Sequence, residues 1–295
     1  MARRTQRDRA GGGPDESGRS ARTPPARVRA RSRPLTGWET SGWELGLAVV
    51  LGTLAAAIGT PTGVSGGLLL LPLLLTVFGL GGTVASATNL LFNIVSTPIG
   101  IVRQRRVDVQ LTLLLVGSAA PAAVLGALAN VFLLGDSTAF RVLVAALLGA
   151  VAVSVLVPRP QRSGTVPLSG RGRWGLVVVG AASGLLGGFY GLGGAVLAAP
   201  AALLLTGWPV VRISGAALVA TFVVSVTGLA TYVILDLAGQ TAVNTPHWPL
   251  GLALGTGGVI GGYVASRYAA LVPDRLLRTV LAAMVGLGAV RLVLG

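Results

Sequence analysis

The sequence contains no cysteine, no lysine and a single histidine, His247. Without cysteine there is no disulfide, no thiolate metal site and no cysteine nucleophile. One histidine is too few for a histidine-rich metal centre. Charge is scarce as well: 11% of residues are charged, against about 25% in an ordinary soluble domain, too few to cover a water-facing surface. The carboxylates Asp108, Asp136, Asp236 and Asp274 stand near the ends of apolar runs rather than inside them. That placement argues against a proton pump built on buried carboxylate relays. No nucleophile–base pair, metal cluster or phosphate-binding loop is found, so no catalytic residue, metal or cofactor is expected.

What the chain has instead is apolar surface: 53% of its 295 residues are hydrophobic and the mean hydropathy is +0.78. The solvent that accepts so much apolar side chain is lipid. At about 20 residues per crossing, the sequence after residue 40 holds eight to ten membrane segments. An all-α, polytopic integral membrane protein is therefore expected, multi-pass in a cell membrane (plasma or inner). Its 44 glycines suit helices packed through small-residue faces. The net charge of +14 is uneven, because residues 1–36 carry ten arginines against Asp8, Asp15 and Glu16. The other arginines flank apolar runs. Basic loops beside a bilayer account for this pattern, and no nucleic-acid partner is expected.

Residues 1–40 read as a disordered, Arg-rich tail with too little apolar surface to fold. Arg3-Arg4 hints at a twin-arginine signal, but the first apolar run starts only near Trp43, so a cleaved signal is not expected. Apolar runs follow at about 43–59, 64–80, 84–102, 109–134, 139–157, 174–189, 191–207, 210–235, 248–270 and 276–294. A basic loop, residues 158–173, separates a first transmembrane unit (41–157) from a second (174–295).

The two units are related. Gly59, Gly63 and Pro72 recur as Gly187, Gly191 and Pro200, each pair 128 residues apart. At the same offset Ser86 meets Ser214, Asn93 meets Thr221 and Gly100 meets Gly228. Five crossings in each unit would give an inverted repeat. Arg103, Arg105 and Arg106, the 158–173 loop, and Arg267, Arg275 and Arg278 would then share one side, the cytoplasm. The Arg-rich tail would fall on the other side; placing it inside requires one early segment to be re-entrant.

Two features carry the functional expectation. Glycine-rich breaks, at Gly59, Gly63, Ser65 and Gly66 and again at Gly187, Gly191, Gly193 and Gly194, interrupt apolar runs. Backbone opened inside a bilayer is tolerated only where protein or a polar cavity surrounds it. Broken helices at matching places in two halves point to a transporter binding site, and helix N-termini favour anions. The plainer explanation is close helix packing or a tight turn. The second feature is a polar stripe, Ser86, Asn89, Asn93, Ser96 and Gly100, on one helical face, with a counterpart in Ser214, Thr221, Ser225 and Gly228. Such residues are costly in hydrocarbon and should face the interior, either joining helices by hydrogen bonds or lining a path. Arg212 reads as an interfacial arginine more than as an anion attractor, and His247 as part of an interfacial cap.

The repeated break leading to Pro72 and Pro200, and Arg106-Val107-Asp108 opening the fourth run, resemble the TauE/SafE sulfite exporter family of membrane permeases over residues 41–295. That resemblance implies an inverted-repeat transporter of small sulfur-containing anions, sulfite or an organosulfonate, working by alternating access. Ala217 stands where the first half has Asn89, so the two halves of any site differ. The expected site comprises Gly63, Ser65, Gly66, Ser86, Asn89, Asn93, Gly191, Gly193, Gly194, Ser214, Thr221 and Ser225. The expected partners are a small anionic solute and the lipid bilayer, with the oligomeric state left open. The competing reading is a non-transporting membrane scaffold or partner subunit.

Overall fold

The apolar runs become helices, because in lipid every backbone N–H and C=O must be satisfied within the protein. The structure, a computed structural model, describes residues 40–60, 66–104, 107–134, 137–156, 170–206, 208, 210–240, 246–268 and scattered positions from 279 to 290. Gly63 and Ser65 lie outside the described residues. The chain divides into Met1–Trp38 and a unit spanning Glu39–Gly295, and all that follows concerns the second.

Among the described residues there is no strand, and the helices are α1 (Gly42–Gly59), α2 (Gly67–Thr76), α3 (Gly82–Arg103), α4 (Val109–Ala129), α5 (Thr138–Leu156), α6 (Gly170–Tyr190), α7 (Ala195–Thr206), α8 (Val210–Leu237) and α9 (Trp248–Tyr268). A π turn, Asn130–Leu134, extends α4. Five helical stretches, in α1, α3, α4, α6 and α8, are long and apolar enough to cross a bilayer. This is an all-α, polytopic membrane protein. By contrast α2 and α7 have only 10 and 12 residues, about 15 and 18 Å of helix against a hydrocarbon core of roughly 30 Å. Each is half a crossing.

The helix starts repeat as the sequence does. Gly42 and Gly170, Gly67 and Ala195, and Gly82 and Val210 are pairs of helix starts 128 residues apart. After α8 the offset grows to 139, as Val109 and Trp248 open α4 and α9. Packing follows the same exchange. Helix α1 pairs with α9 as α6 pairs with α4; α3 lies on α9 as α8 lies on α4; α2 lies on α3 as α7 lies on α8; and α3 meets α8. Backbone contacts too close for any side chain recur with them. Gly52 rests on the Leu254 carbonyl and Gly257 on the Val49 carbonyl in α1–α9, as Gly184 rests on the Ala119 carbonyl in α4–α6.

Helices α3 and α8 form the centre: 72% of α3's membrane-length stretch is buried, against 28% for α1. They run antiparallel. A Cβ on Gly100 would touch Leu218 Cδ1 at 3.2 Å, and one on Gly228 would touch Leu90 Cδ1 at 3.0 Å. These two contacts are each other's image under the 128-residue exchange.

Side chains at helix starts finish the framework. Asp108 Oδ1 accepts the Leu111 N–H at 2.9 Å, capping α4, and at the equivalent place His247 Nδ1 accepts the Leu250 N–H at 3.3 Å, capping α9. Such caps satisfy N–H groups that have no partner within the helix. Burial lowers the His247 pKa below its ordinary value, with Glu44 opposing. That direction favours the neutral imidazole, whose Nδ1 can accept.

Candidate functional site

The half-helices α2 and α7 both begin beside the middle of a central helix. Asn89 Nδ2 of α3 donates to the Gly67 carbonyl at 2.8 Å. At the equivalent place, Thr221 Oγ1 of α8 accepts the Ala195 N–H at 2.8 Å and donates to the Ala217 carbonyl at 3.0 Å. Because α3 and α8 are antiparallel, the two half-helices point their N-terminal, positively polarised ends towards one region from opposite directions. Asn93 links the halves: its Nδ2 donates to the Gly191 carbonyl at 3.2 Å, in the break between α6 and α7. Asn89, Asn93, Thr221 and Ser225 are all fully buried.

The break itself requires glycine. Gly191 and Gly193 both have φ of +70°, a left-handed conformation that other residues adopt at a cost. A side chain on Gly191 would also strike the Ser86 backbone, and one on Gly193 would strike Thr221. Gly194 is looser, since a Cβ there would sit 3.5 Å from Val224.

Upstream of this break, the carbonyls that end α6 are held by a network that inspection of single helices does not reveal. Asn130 Nδ2 lies 2.9 Å from the Phe189 carbonyl, 2.7 Å from Tyr232 Oη and 3.3 Å from Ser86 Oγ. Ser86 Oγ donates to the Phe189 carbonyl at 3.1 Å, and Tyr232 Oη to the Gly188 carbonyl at 3.1 Å. These are the orphan carbonyls of a helix C-terminus, satisfied inside protein. Asn130 opens the π turn, a distortion common at functional sites. The signal for it was an asparagine near the end of the 109–134 apolar run.

The structure brings Ser86, Asn89, Asn93, Gly191, Gly193 and Thr221 together. Ser214 is elsewhere, accepting from Gln104 Nε2 at 3.2 Å where α3 ends and α8 begins. Ser225 Oγ is buried with no partner among the described residues. Gly66 precedes α2 and packs on α1, where its Cβ would lie 2.9 Å from the Ala55 carbonyl. It also lines a cavity of about 20 Å³, with Thr60, Ser96, Thr97, Gly100 and Leu218, space for about one water. The cavity lies between Asn93 and the Arg103 end of α3. At the 128-related positions Val224, Ser225 and Leu90 are fully buried, and Gly228 would meet Gly188 Cα at 3.6 Å with any added Cβ.

At the mouth of α8, Arg212 pairs with Asp108 through two nitrogens, its Nε 2.7 Å from Oδ2. Its guanidinium lies 3.6 Å from the centre of the Trp208 ring, a cation–π contact. Burial works to raise the Asp108 pKa, but the Leu111 N–H, the Arg212 hydrogen bond and the Arg212 charge together hold it below the usual carboxylate value. Arg212 is thus engaged by protein groups at a helix junction. Among the described residues no cluster of three or more His, Cys, Asp or Glu side chains is placed to hold a metal.

Paired half-helices that begin at a buried polar centre are an arrangement found in membrane transporters. The chain belongs to the Sulfite exporter TauE/SafE family, whose family model matches residues 48–292. No curated protein and no solved structure matches the chain.

Proposed function

We propose that this protein is a secondary transporter of a small anion, sulfite or a related sulfur oxyanion, in the cell membrane, and that it works by alternating access between two inverted halves. The observation that carries this reading is the convergence of α2 and α7, from opposite directions, on Asn89, Asn93 and Thr221. Helix N-termini supply positive potential without a buried cation, which leaves an anion bound weakly enough to be released. The antiparallel α3–α8 pair supports an inverted repeat about an axis in the membrane plane. On that arrangement Arg103 and Arg267, at the C-terminal ends of α3 and α9, share the cytoplasmic side.

Purified protein in liposomes provides the test. With labelled sulfite outside and unlabelled sulfite inside, uptake should exceed that of protein-free liposomes and should saturate. Uptake equal to the protein-free control, across sulfite, organosulfonates and other small anions, would refute the reading.

A further inference from the structure

Two hydroxyls in the first half are out of keeping with the rest of the protein. Threonines elsewhere on these helices, Thr53, Thr112 and Thr227 among them, turn their hydroxyl onto the carbonyl one turn earlier. Ser96 and Thr97 do not, and neither hydroxyl has a hydrogen-bond partner among the described residues. Both residues are more than nine-tenths buried, at 8% and 6% exposure, and both line the cavity of about 20 Å³. Buried polar groups are almost always paired, so two unpaired hydroxyls on one small cavity mark a place that a bound species completes.

The rest of the wall decides what that species is. Ala56 and Thr60 bring the last turn of α1 to the cavity, with Thr60 as its C-cap. A helix end of this kind carries carbonyls without helical donors and a negative potential. Pro61 follows and has no N–H to offer. The other lining residues, Gly66, Gly100 and Leu218, bring no charge. Nearby cations are engaged elsewhere: the Arg103 guanidinium lies 4.3 Å from the Tyr263 ring centre, and Arg212 is paired with Asp108. Negative potential, neutral oxygens and space for one water-sized body suit a small monovalent cation. A divalent ion would call for carboxylates, and no Asp or Glu is among the described residues of the wall. Helix C-terminal ends hold sodium in transporters built on broken helices.

The second half has no such place. Val224 and Gly188 stand where the first half has Ser96 and Thr60. There the carbonyls that end α6 are taken by protein donors, Asn130 and Ser86 at Phe189 and Tyr232 at Gly188.

We infer that this cavity binds one sodium ion and that its occupancy strengthens binding of the transported anion. Thr97 is one helical turn, about 5.4 Å, from Asn93, so the ion's charge acts through protein, where water screens it little. Unlike a fixed basic side chain, the ion can leave and release the anion. The sodium site stands on the cavity and its wall; its linkage to the anion rests on the transporter reading above.

The test is thermal unfolding of the full chain in detergent micelles, titrated with sodium chloride against choline chloride at constant ionic strength. A ligand that binds only the folded state raises its stability. Sodium should raise the unfolding temperature saturably, and choline should not. Thr97→Val, which keeps the shape of the side chain, should raise the half-saturating sodium concentration at least about tenfold. Ser96→Ala should do the same and serves where Thr97→Val does not fold. Sulfite should lower that concentration about fivefold or more in wild type, and sodium should strengthen sulfite binding by the same factor. Equal unfolding temperatures in sodium and choline would mean that the cavity holds an ordered water only and would overturn the inference, as would a wild-type sodium response in both variants. Sulfite that stabilises the protein in choline alongside either result would leave the transporter reading standing. Saturable sodium binding that no small anion alters, with no anion uptake into liposomes, would instead sink the transporter reading and the linkage while upholding the cation site.

Discussion

Thr221→Val isolates the bond that fixes the start of α7. Valine keeps the branched shape, so the Cγ2 methyl that packs on Gly193 remains, and only the hydroxyl is lost. Its removal strips the Ala195 N–H of its 2.8 Å acceptor and the Ala217 carbonyl of a 3.0 Å donor. The carbonyl still has its place in the helix ladder, so the loss falls mainly on the N–H. Both groups are in the protein interior, where water does not replace the partner. Leaving one buried donor unsatisfied costs about 1–3 kcal/mol, and no cavity term adds to it. The assay is unfolding of purified protein in mixed micelles by added denaturing detergent, comparing wild type, Thr221→Val and Thr221→Ser. Serine restores the hydroxyl and should recover most of the loss, short of the methyl contact. Wild-type stability in Thr221→Val, or equal losses for valine and serine, would refute the assignment of the hydroxyl as the cap of α7.

Other perturbations follow from the same geometry. Asn93→Leu removes the donor to the Gly191 carbonyl; the protein should remain folded by size-exclusion chromatography while sulfite uptake is lost, and wild-type uptake would remove Asn93 from the path. Asp108 has a lowered pKa, so its contribution to stability is complete above the unfolded value of about 3.9 and is lost as pH falls through the folded value beneath it. Thermal unfolding measured from pH 7 downward should show wild type losing its advantage over Asp108→Asn only below about pH 4. Gly184→Leu drives a side chain into the Ala119 backbone at the α4–α6 contact and should cost at least about 3 kcal/mol, whereas Gly117→Ala, in open space, should cost nothing in the same unfolding assay.

Much of the architecture was legible in the sequence because lipid is a severe solvent. Runs of apolar residues had to become helices, and the boundaries read at 109–134 and 210–235 fall within two residues of α4 with its π turn and of α8. The 128-residue repeat was legible because polar residues such as Ser86 and Ser214 are too few to coincide freely. Asn89 and Asn93 announced themselves by their cost in hydrocarbon. What stayed hidden was partnership between helices. A helical stripe shows which face turns inward but not which helix it meets. The Asn130–Tyr232 bond joins residues 102 positions apart, and Arg212 reaches Asp108 across 104. The stripe read as one set also divides, because Ser214 sits at the α3–α8 junction while Thr221 caps α7.

The absence of cysteine makes the central claim open to direct measurement. Thr97 and Ser225 occupy equivalent positions, 128 residues apart, one lining the cavity and the other fully buried. Single Thr97→Cys and Ser225→Cys variants in oriented vesicles can be labelled by a membrane-impermeant thiol reagent from either side, with and without sulfite. If the halves exchange, Cys at 97 reacts only from the Arg103 side and Cys at 225 only from the opposite side, with sulfite changing the two rates in opposite directions. Reaction of both from the same side, or rates that sulfite moves together, would contradict alternating access between related halves.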